Sequence, residues 1–274
     1  MPIARPPRRT ASLAMILTMA LSVATSAAAE PALRILAAGS LVGPMNEWVA
    51  ASGLSAGAVA PPVFGPAGLL RQRIEAGEAA DVYASADLNQ PRKLVAAGRA
   101  AMVVPFARNR MCIVSKASLG LTADNLLDRL LDPGLRLATS TPVSDPGGDY
   151  AWAVFDRAEA VRPGARKTLQ DKALQLIGSP QAMVPVAGRS PSASIFLADR
   201  ADALLYYCSG SAATLREVPG LASLPLPSTL EVYPVYGLTV MGHHPDAARL
   251  ALFMLSEQGQ AMLAKYDLLP LSAP

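Results

Sequence analysis

Four places in this 274-residue chain bring glycine, serine or proline to the start of a helical pattern: Gly39-Ser40, Gly65-Pro66-Ala67-Gly68, Asp145-Pro146-Gly147-Gly148 and Arg189-Ser190-Pro191. A helix start leaves backbone N–H groups without intrahelical acceptors, so each place could present donors to an anion. Tyr206-Tyr207 adds two phenols at the end of an apolar run. Amides and hydroxyls of this kind can surround the oxygens of a compact anion with partial positive charge and no fixed cation. Each feature also has a plainer reading, as a cap, a turn or core packing. Gly-Pro-Ala-Gly is not a phosphate-binding loop, because no Gly-Lys-Ser/Thr follows it. A serine hydrolase would need G-x-S-x-G and a histidine base. The motif is absent, and the only histidines, His243-His244, stand immediately before Pro245. No catalytic residue is assigned, and an exported hydrolase is kept only as a remote alternative to a non-enzymatic binder.

These junctions need strands that end where helices begin. Leu33–Ala38 reads as a short buried strand ending at Gly39-Ser40, with Ser40 placed to cap the helix that carries Met45, Trp48 and Val49. A strand ending near Phe64 leads to a helix with Leu70 and Ile74 on one face, stopped by Gly77. Asp81–Ser85 is a strand, and Asp87 is placed to cap the helix carrying Leu94 and Val95. The rhythm repeats with strands at Arg110–Val114, Leu135–Thr139 and Ala203–Tyr207. Helices are expected from Thr122 through Leu131, from Tyr150 through Phe155, after Ser190-Pro191, and from Pro245 through Leu263. Strands alternating with helices of this length imply an α/β protein with mostly parallel sheets, whose ligands gather at the strand C-termini.

Composition narrows the class. The chain is 51% hydrophobic and 16% charged, too apolar for a disordered protein. Residues 1–29 hold Arg5, Arg8 and Arg9 and no acid, then an apolar run, then Ser26-Ala27-Ala28-Ala29. That is the form of a secretory leader cleaved after Ala29, and it predicts an exported, periplasmic protein. Removing it leaves 21 basic against 21 acidic residues, so no basic stripe for nucleic acid is expected. Export places Cys112 and Cys208, the only cysteines, where a disulfide can form; a bridge and two buried thiols both fit. Their spacing and the histidine count argue against a zinc site.

Several segments together resemble the periplasmic molybdate-binding proteins of ABC importers. They are Leu36-Ala37-Ala38-Gly39-Ser40-Leu41, the stretch Phe64 to Asp87 with Arg71–Gly77 and Ala80–Asp87, Asp145 to Tyr150, Tyr206-Tyr207 and Tyr233-Pro234-Val235. Phe253–Gln260 with Lys265-Tyr266 is similar to the closing helix of a wider class of solute-binding proteins. The resemblance implies a two-lobed periplasmic-binding-protein fold of type II. Lobe 1 would comprise 30–109 and 234–274, lobe 2 110–233, with crossovers near Asn109–Arg110 and Tyr233–Tyr236 as the hinge. It implies capture of molybdate or tungstate, delivery to an ABC permease, no other cofactor and no metal ligand set; a monomer is the default for such a shuttle.

Carried over position by position, the resemblance assigns ligand contacts to Ser40, to the backbone at Ala67 and Gly68, to Gly147, to Arg189 or Ser190, and to Tyr207. Two departures stand out. Ala67 replaces a serine, so that side relies on backbone donors unless the Arg189 guanidinium turns inward. Asp145 and Asp149 bracket the second-lobe loop, where they would cap the next helix or, facing the cleft, repel a dianion or accept a proton from a protonated one. Paired tyrosines near carboxylates leave a ferric-ion or other-anion binder of the same class as an alternative.

Overall fold

Short apolar runs bounded by glycine and proline set the frame. The computed structural model describes residues 1–2, 31–55, 57–179, 182 and 185–271. The expected leader and its cleavage point lie outside the described residues, apart from residues 1–2. The body spans Ala32–Pro274 as one compact unit. In chain order it contains β1 (Ile35–Ala38), α1 (Val42–Ala51), β2 (Val63–Gly65), α2 (Ala67–Glu75), β3 (Val82–Ser85), α3 (Asn89–Ala96) and β4 (Val104–Arg108). Then come β5 (Met111–Lys116), α4 (Leu126–Leu131), β6 (Leu137–Ser140), α5 (Pro146–Val161), α6 (Ala165–Lys172), β7 (Leu174–Ile177) and α7 (Pro191–Leu197). The chain closes with β8 (Ala203–Tyr207), α8 (Cys208–Glu217), β9 (Leu221–Pro225), β10 (Val235–Val240), α9 (Pro245–Leu255) and α10 (Glu257–Ala261).

The strands form two five-stranded sheets, ordered β2-β1-β3-β10-β4 and β7-β6-β8-β5-β9. Each sheet with its helices is one lobe. The expectation of mostly parallel sheets is corrected to mixed ones. In the first, β1 runs parallel to β2 and β3, while β10 is antiparallel to β3 and β4. The second repeats the arrangement, with β6 parallel to β7 and β8 and β5 antiparallel to β8 and β9. The antiparallel strands arise because the chain leaves the first sheet after β4 and re-enters it as β10. The two passages touch: Asn109 N–H donates to the Pro234 carbonyl at 2.9 Å.

Three elements differ from their expected form. Thr122 does not open α4; the Thr122 N–H donates to Asn125 Oδ1 at 2.8 Å, closing a side-chain turn ahead of the helix. The closing helix is broken at Ser256, whose extended backbone ends α9 and whose hydroxyl accepts from Gly259 N–H to cap α10. Ser40 does not cap α1; its hydroxyl bonds to Tyr236 instead.

Trp48 of α1, Phe106 of β4, Tyr236 of β10 and Tyr207 of β8 form an aromatic file, with successive centroids 5.9, 6.1 and 6.0 Å apart. All four are buried, and the file runs from α1 and the first sheet to β8 of the second. Cys112 of β5 and Cys208, the first residue of α8, are joined in a disulfide, which settles the choice the sequence left open. The bond closes 96 residues of chain and anchors the residue that follows Tyr207. Replacing both cysteines by serine is expected to lower unfolding free energy by roughly 2–4 kcal/mol. Denaturant titration of the double variant checks this; an unchanged midpoint would mean the bridge contributes nothing.

Candidate functional site

The C-terminal ends of β1, β2, β6 and β8 all deliver the chain into a helix or helical turn, and these junctions meet around one cleft. At β1, a 3-10 turn over Gly39–Leu41 exposes Ser40. Its Oγ lies 2.8 Å from the Tyr236 hydroxyl. Asn109 Nδ2 donates to that hydroxyl at 2.9 Å and to Ser209 Oγ at 2.8 Å, while Asn109 Oδ1 accepts from Arg110 N–H at 2.8 Å. The backbone bond fixes which end of the amide is the donor. Tyr236 therefore accepts from Asn109, and it shares a second hydrogen bond with Ser40 in which either hydroxyl can donate. Sequence reading placed Asn109 and Tyr236 only as passage residues; a polar residue between two strands, and a tyrosine on the buried face of Val235–Val240, are the signals that mark them.

At β2, Pro66 precedes α2, whose first turn leaves the amides of Ala67, Gly68 and Leu69 without intrahelical acceptors. Ala67 is buried, and its carbonyl accepts from the Tyr83 hydroxyl at 2.6 Å. Gly68 lies against the second lobe. A Cβ there would sit 2.4 Å from the Val143 carbonyl oxygen and 2.6 Å from that of Ser144. Gln90 of α3 adds a second contact across the cleft, Nε2 to the Val143 carbonyl at 3.3 Å, and its own Oε1 accepts from Arg71 Nε at 2.7 Å.

The second lobe contributes Asp145, Tyr206 and Tyr207. Asp145 is the N-cap of α5, and Oδ1 accepts from Gly147 N–H at 3.0 Å. This corrects the expectation that Gly147 offers a free amide: its N–H is already taken by the cap. Asp149 also holds backbone, accepting from Val143 N–H at 3.0 Å. Asp145 is only 8% exposed yet lines the cleft. Burial pushes its carboxyl up to about 6, against the opposing pull of the Gly147 amide. Tyr207 packs edge-on to Tyr150 and Tyr206. Its hydroxyl is buried and has no partner among the described residues. Burial raises both phenols, Tyr206 and Tyr207, well above the ordinary range, with Asp145 adding to the effect, so both stay protonated donors.

The cleft encloses about 380 Å³. Ser40, Ala67, Asp145 and Tyr207 line it together, and no Lys, Arg or His is among the described lining residues. A neighbouring chamber of about 620 Å³ shares Ser40, Gly65, Pro191 and Tyr206 with it and holds Ser190, Arg216 and Lys265. Ser190 caps α7 by accepting from Ala193 N–H, as its sequence form predicts. Gly68 and Gly147 stand behind the lining rather than in it. Arg189 sits on an exposed turn and lines neither chamber, so it does not replace the hydroxyl that Ala67 lacks.

The backbone approach at Gly68 gives a direct test of closure. Alanine suits a helix better than glycine, so Gly68→Ala leaves α2 intact while its methyl overlaps the Val143 carbonyl. The closed form should lose about 1–3 kcal/mol relative to more open ones. X-ray scattering is expected to show a larger radius of gyration for the variant, and equal radii would mean that the contact does not govern closure.

Residues 33–267 match the family described as bacterial extracellular solute-binding protein. An uncharacterized protein of Pasteurella multocida (strain Pm70) is 37% identical over 240 residues, which covers 87% of this chain and 98% of that protein. The sulfate-binding protein SubI from Mycobacterium tuberculosis H37Rv superposes with a TM-score of 0.69 at 18% identity, covering 88% of this chain and 87% of that one. The Azotobacter vinelandii periplasmic molybdate-binding protein gives 0.65 at 19%, covering 86% and 98%. At those identities the likeness to solved structures is one of fold, the two-lobed type II architecture with its cleft between the sheets. With the family match running through both lobes, the chain belongs to the bacterial extracellular solute-binding proteins.

Proposed function

We propose that this protein is a periplasmic receptor that closes on a small tetrahedral oxyanion, molybdate or tungstate, and delivers it to an ABC permease. The observation that carries this reading is the buried hydroxyl of Tyr207, a residue that lines the cleft and whose hydroxyl has no partner among the described residues. An unsatisfied buried hydroxyl costs about 1–3 kcal/mol, a cost that a ligand oxygen removes. Ser40 supports it from the other lobe, where it lines the cleft with its hydroxyl beside that of Tyr236. The first-turn amides of α2 supply donors that need no side chain, which suits Ala67 where the family resemblance implies serine.

The cleft favours an anion over ferric iron. A phenol binds iron as phenolate, whereas Tyr206 and Tyr207 are both shifted away from ionisation. Among the described residues, no group of three or more His, Cys, Asp or Glu is placed to hold a metal ion. Among the described residues no helix is long and apolar enough to cross a membrane.

Calorimetric titration with molybdate, tungstate, sulfate and ferric citrate tests the reading. Molybdate or tungstate should bind tightly; tight ferric binding with no oxyanion heat would overturn it. Tyr207→Phe should weaken oxyanion binding by one to two decades, the worth of about 1.5–3 kcal/mol for a hydrogen bond to a charged group. The same variant should melt no lower than the wild type, because it removes an unpartnered hydroxyl rather than a bond. Lower stability with unchanged affinity would assign Tyr207 to packing alone.

A further inference from the structure

Asp145 is a carboxylate inside a cleft whose other features favour an anion, and that conflict has a chemical resolution. Its backbone N–H is held by the Thr141 carbonyl at 2.9 Å and its Oδ1 by the Gly147 amide. A Cβ on Gly178 would lie 2.7 Å from its Cβ, so the side chain is pressed from the β7 end as well. The groups that face it are Ser140 on β6, Gly178 after β7, the phenols of Tyr206 and Tyr207 on β8, Asp149 one turn on in α5, and Asp87 after β3. The charged ones, Asp149 and Asp87, are both acids. Lys93 acts on those two acids, and no described lining residue is a cation.

An ionised Asp145 and a dianion would therefore be like charges in one water-poor space, with nothing fixed between them to offset the repulsion. We propose that Asp145 couples capture of a fully deprotonated oxyanion to the uptake of one proton from solvent. The inference rests on the oxyanion reading above and adds a proton to its stoichiometry. Oδ1 keeps the Gly147 amide, so the proton goes to Oδ2, and the neutral carboxyl then becomes a donor to a ligand oxygen. No bond other than the O–H is made or broken. Burial already moves the carboxyl up to about 6 in the free protein, and the entering dianion raises it further.

The sign follows. Below pH 6 Asp145 is already protonated, and affinity is insensitive to pH. Above pH 6 each unit of pH should weaken molybdate or tungstate binding by up to tenfold, over a range in which the ligands themselves stay dianions. Titrations at pH 6, 7 and 8, each in two buffers of different ionisation enthalpy, read both the affinity and the protons taken up. Close to one proton per ligand at pH 8 is expected. Asp145→Asn keeps an equally good N-cap, so the fold and α5 should remain. It should abolish the uptake, flatten the pH profile and bind molybdate more tightly than the wild type at pH 8.

Ligand-free melting supplies an independent readout. The folded carboxyl titrates above the ordinary Asp range, so ionised Asp145 destabilises the fold as pH rises through about 4 to 6. Asp145→Asn should raise the melting temperature at pH 8 more than at pH 4. Oxyanion binding with equal affinity at pH 6 and 8 and no proton uptake overturns the inference while leaving the proposed function standing. Tight binding of inorganic phosphate at pH 8 with no uptake also overturns it, since Asp145 would then accept a proton the ligand carries. No heat with any oxyanion overturns both.

Discussion

One amide orientation governs the first-lobe side of the cleft. Asn109 Oδ1 is held by the next residue's backbone N–H, which turns Nδ2 toward Tyr236 and Ser209. Asn109 gives to Tyr236, and Tyr236 in turn shares a hydrogen bond with Ser40, so the three groups form one chain from the passage to the end of β1. Asn109 lies between β4 and β5, Tyr236 lies in the returning strand, and Ser40 follows β1. The chain's two passages between sheets thus do more than connect the lobes. They supply the hydrogen-bond partners of the Ser40 hydroxyl, and they do so where any rotation of one lobe against the other must be accommodated.

The opposite wall is built on a different principle. Helix α2 leaves its first amides open, whereas α5 closes its own with Asp145, so the two lobes present unlike chemistry to the same space. The first offers dipoles without charge. The second offers two neutral phenols, one of them unpartnered, and an acid whose ionisation burial resists. No cation is among the described residues that line this cleft; Arg216 and Lys265 belong to the adjoining chamber.

The alternation of strands with helices, and the junctions at Ser40, Ala67, Ser190 and Tyr207, were legible because hydrophobic runs ended at glycine, serine or proline. The unassigned strands were chiefly edge strands. β4 contains Pro105, β9 ends in Pro225, and β7 has an exposed half, so none shows the unbroken apolar run of a central strand. β10 is central but carries Gly237 beside a register shift, and that glycine is needed because a Cβ would meet Leu88 and Val103. Site details failed where they depended on contacts distant in sequence. Ser40 has the form of a cap, and only the arrival of Tyr236, 196 residues later, claims its hydroxyl. Gly147 has the form of a free donor, and only the rotamer of Asp145 removes it.

A contact between the lobes centres on one backbone carbonyl, and the residue that carries it is strained. Val143 holds a φ of 71°, a left-handed conformation that a β-branched residue adopts only under constraint. Its N–H is held by Asp149, its carbonyl receives Gln90, and Gly68 presses on the same oxygen. Such a residue costs of order 1–3 kcal/mol, which the surrounding bonds must supply. Two of those contacts, Gln90 and Gly68, come from the other lobe and exist only while the cleft is shut. Separating the lobes would break the Gln90 bond and withdraw Gly68 from the carbonyl of that strained residue, while the Asp149 bond within the second lobe would stay.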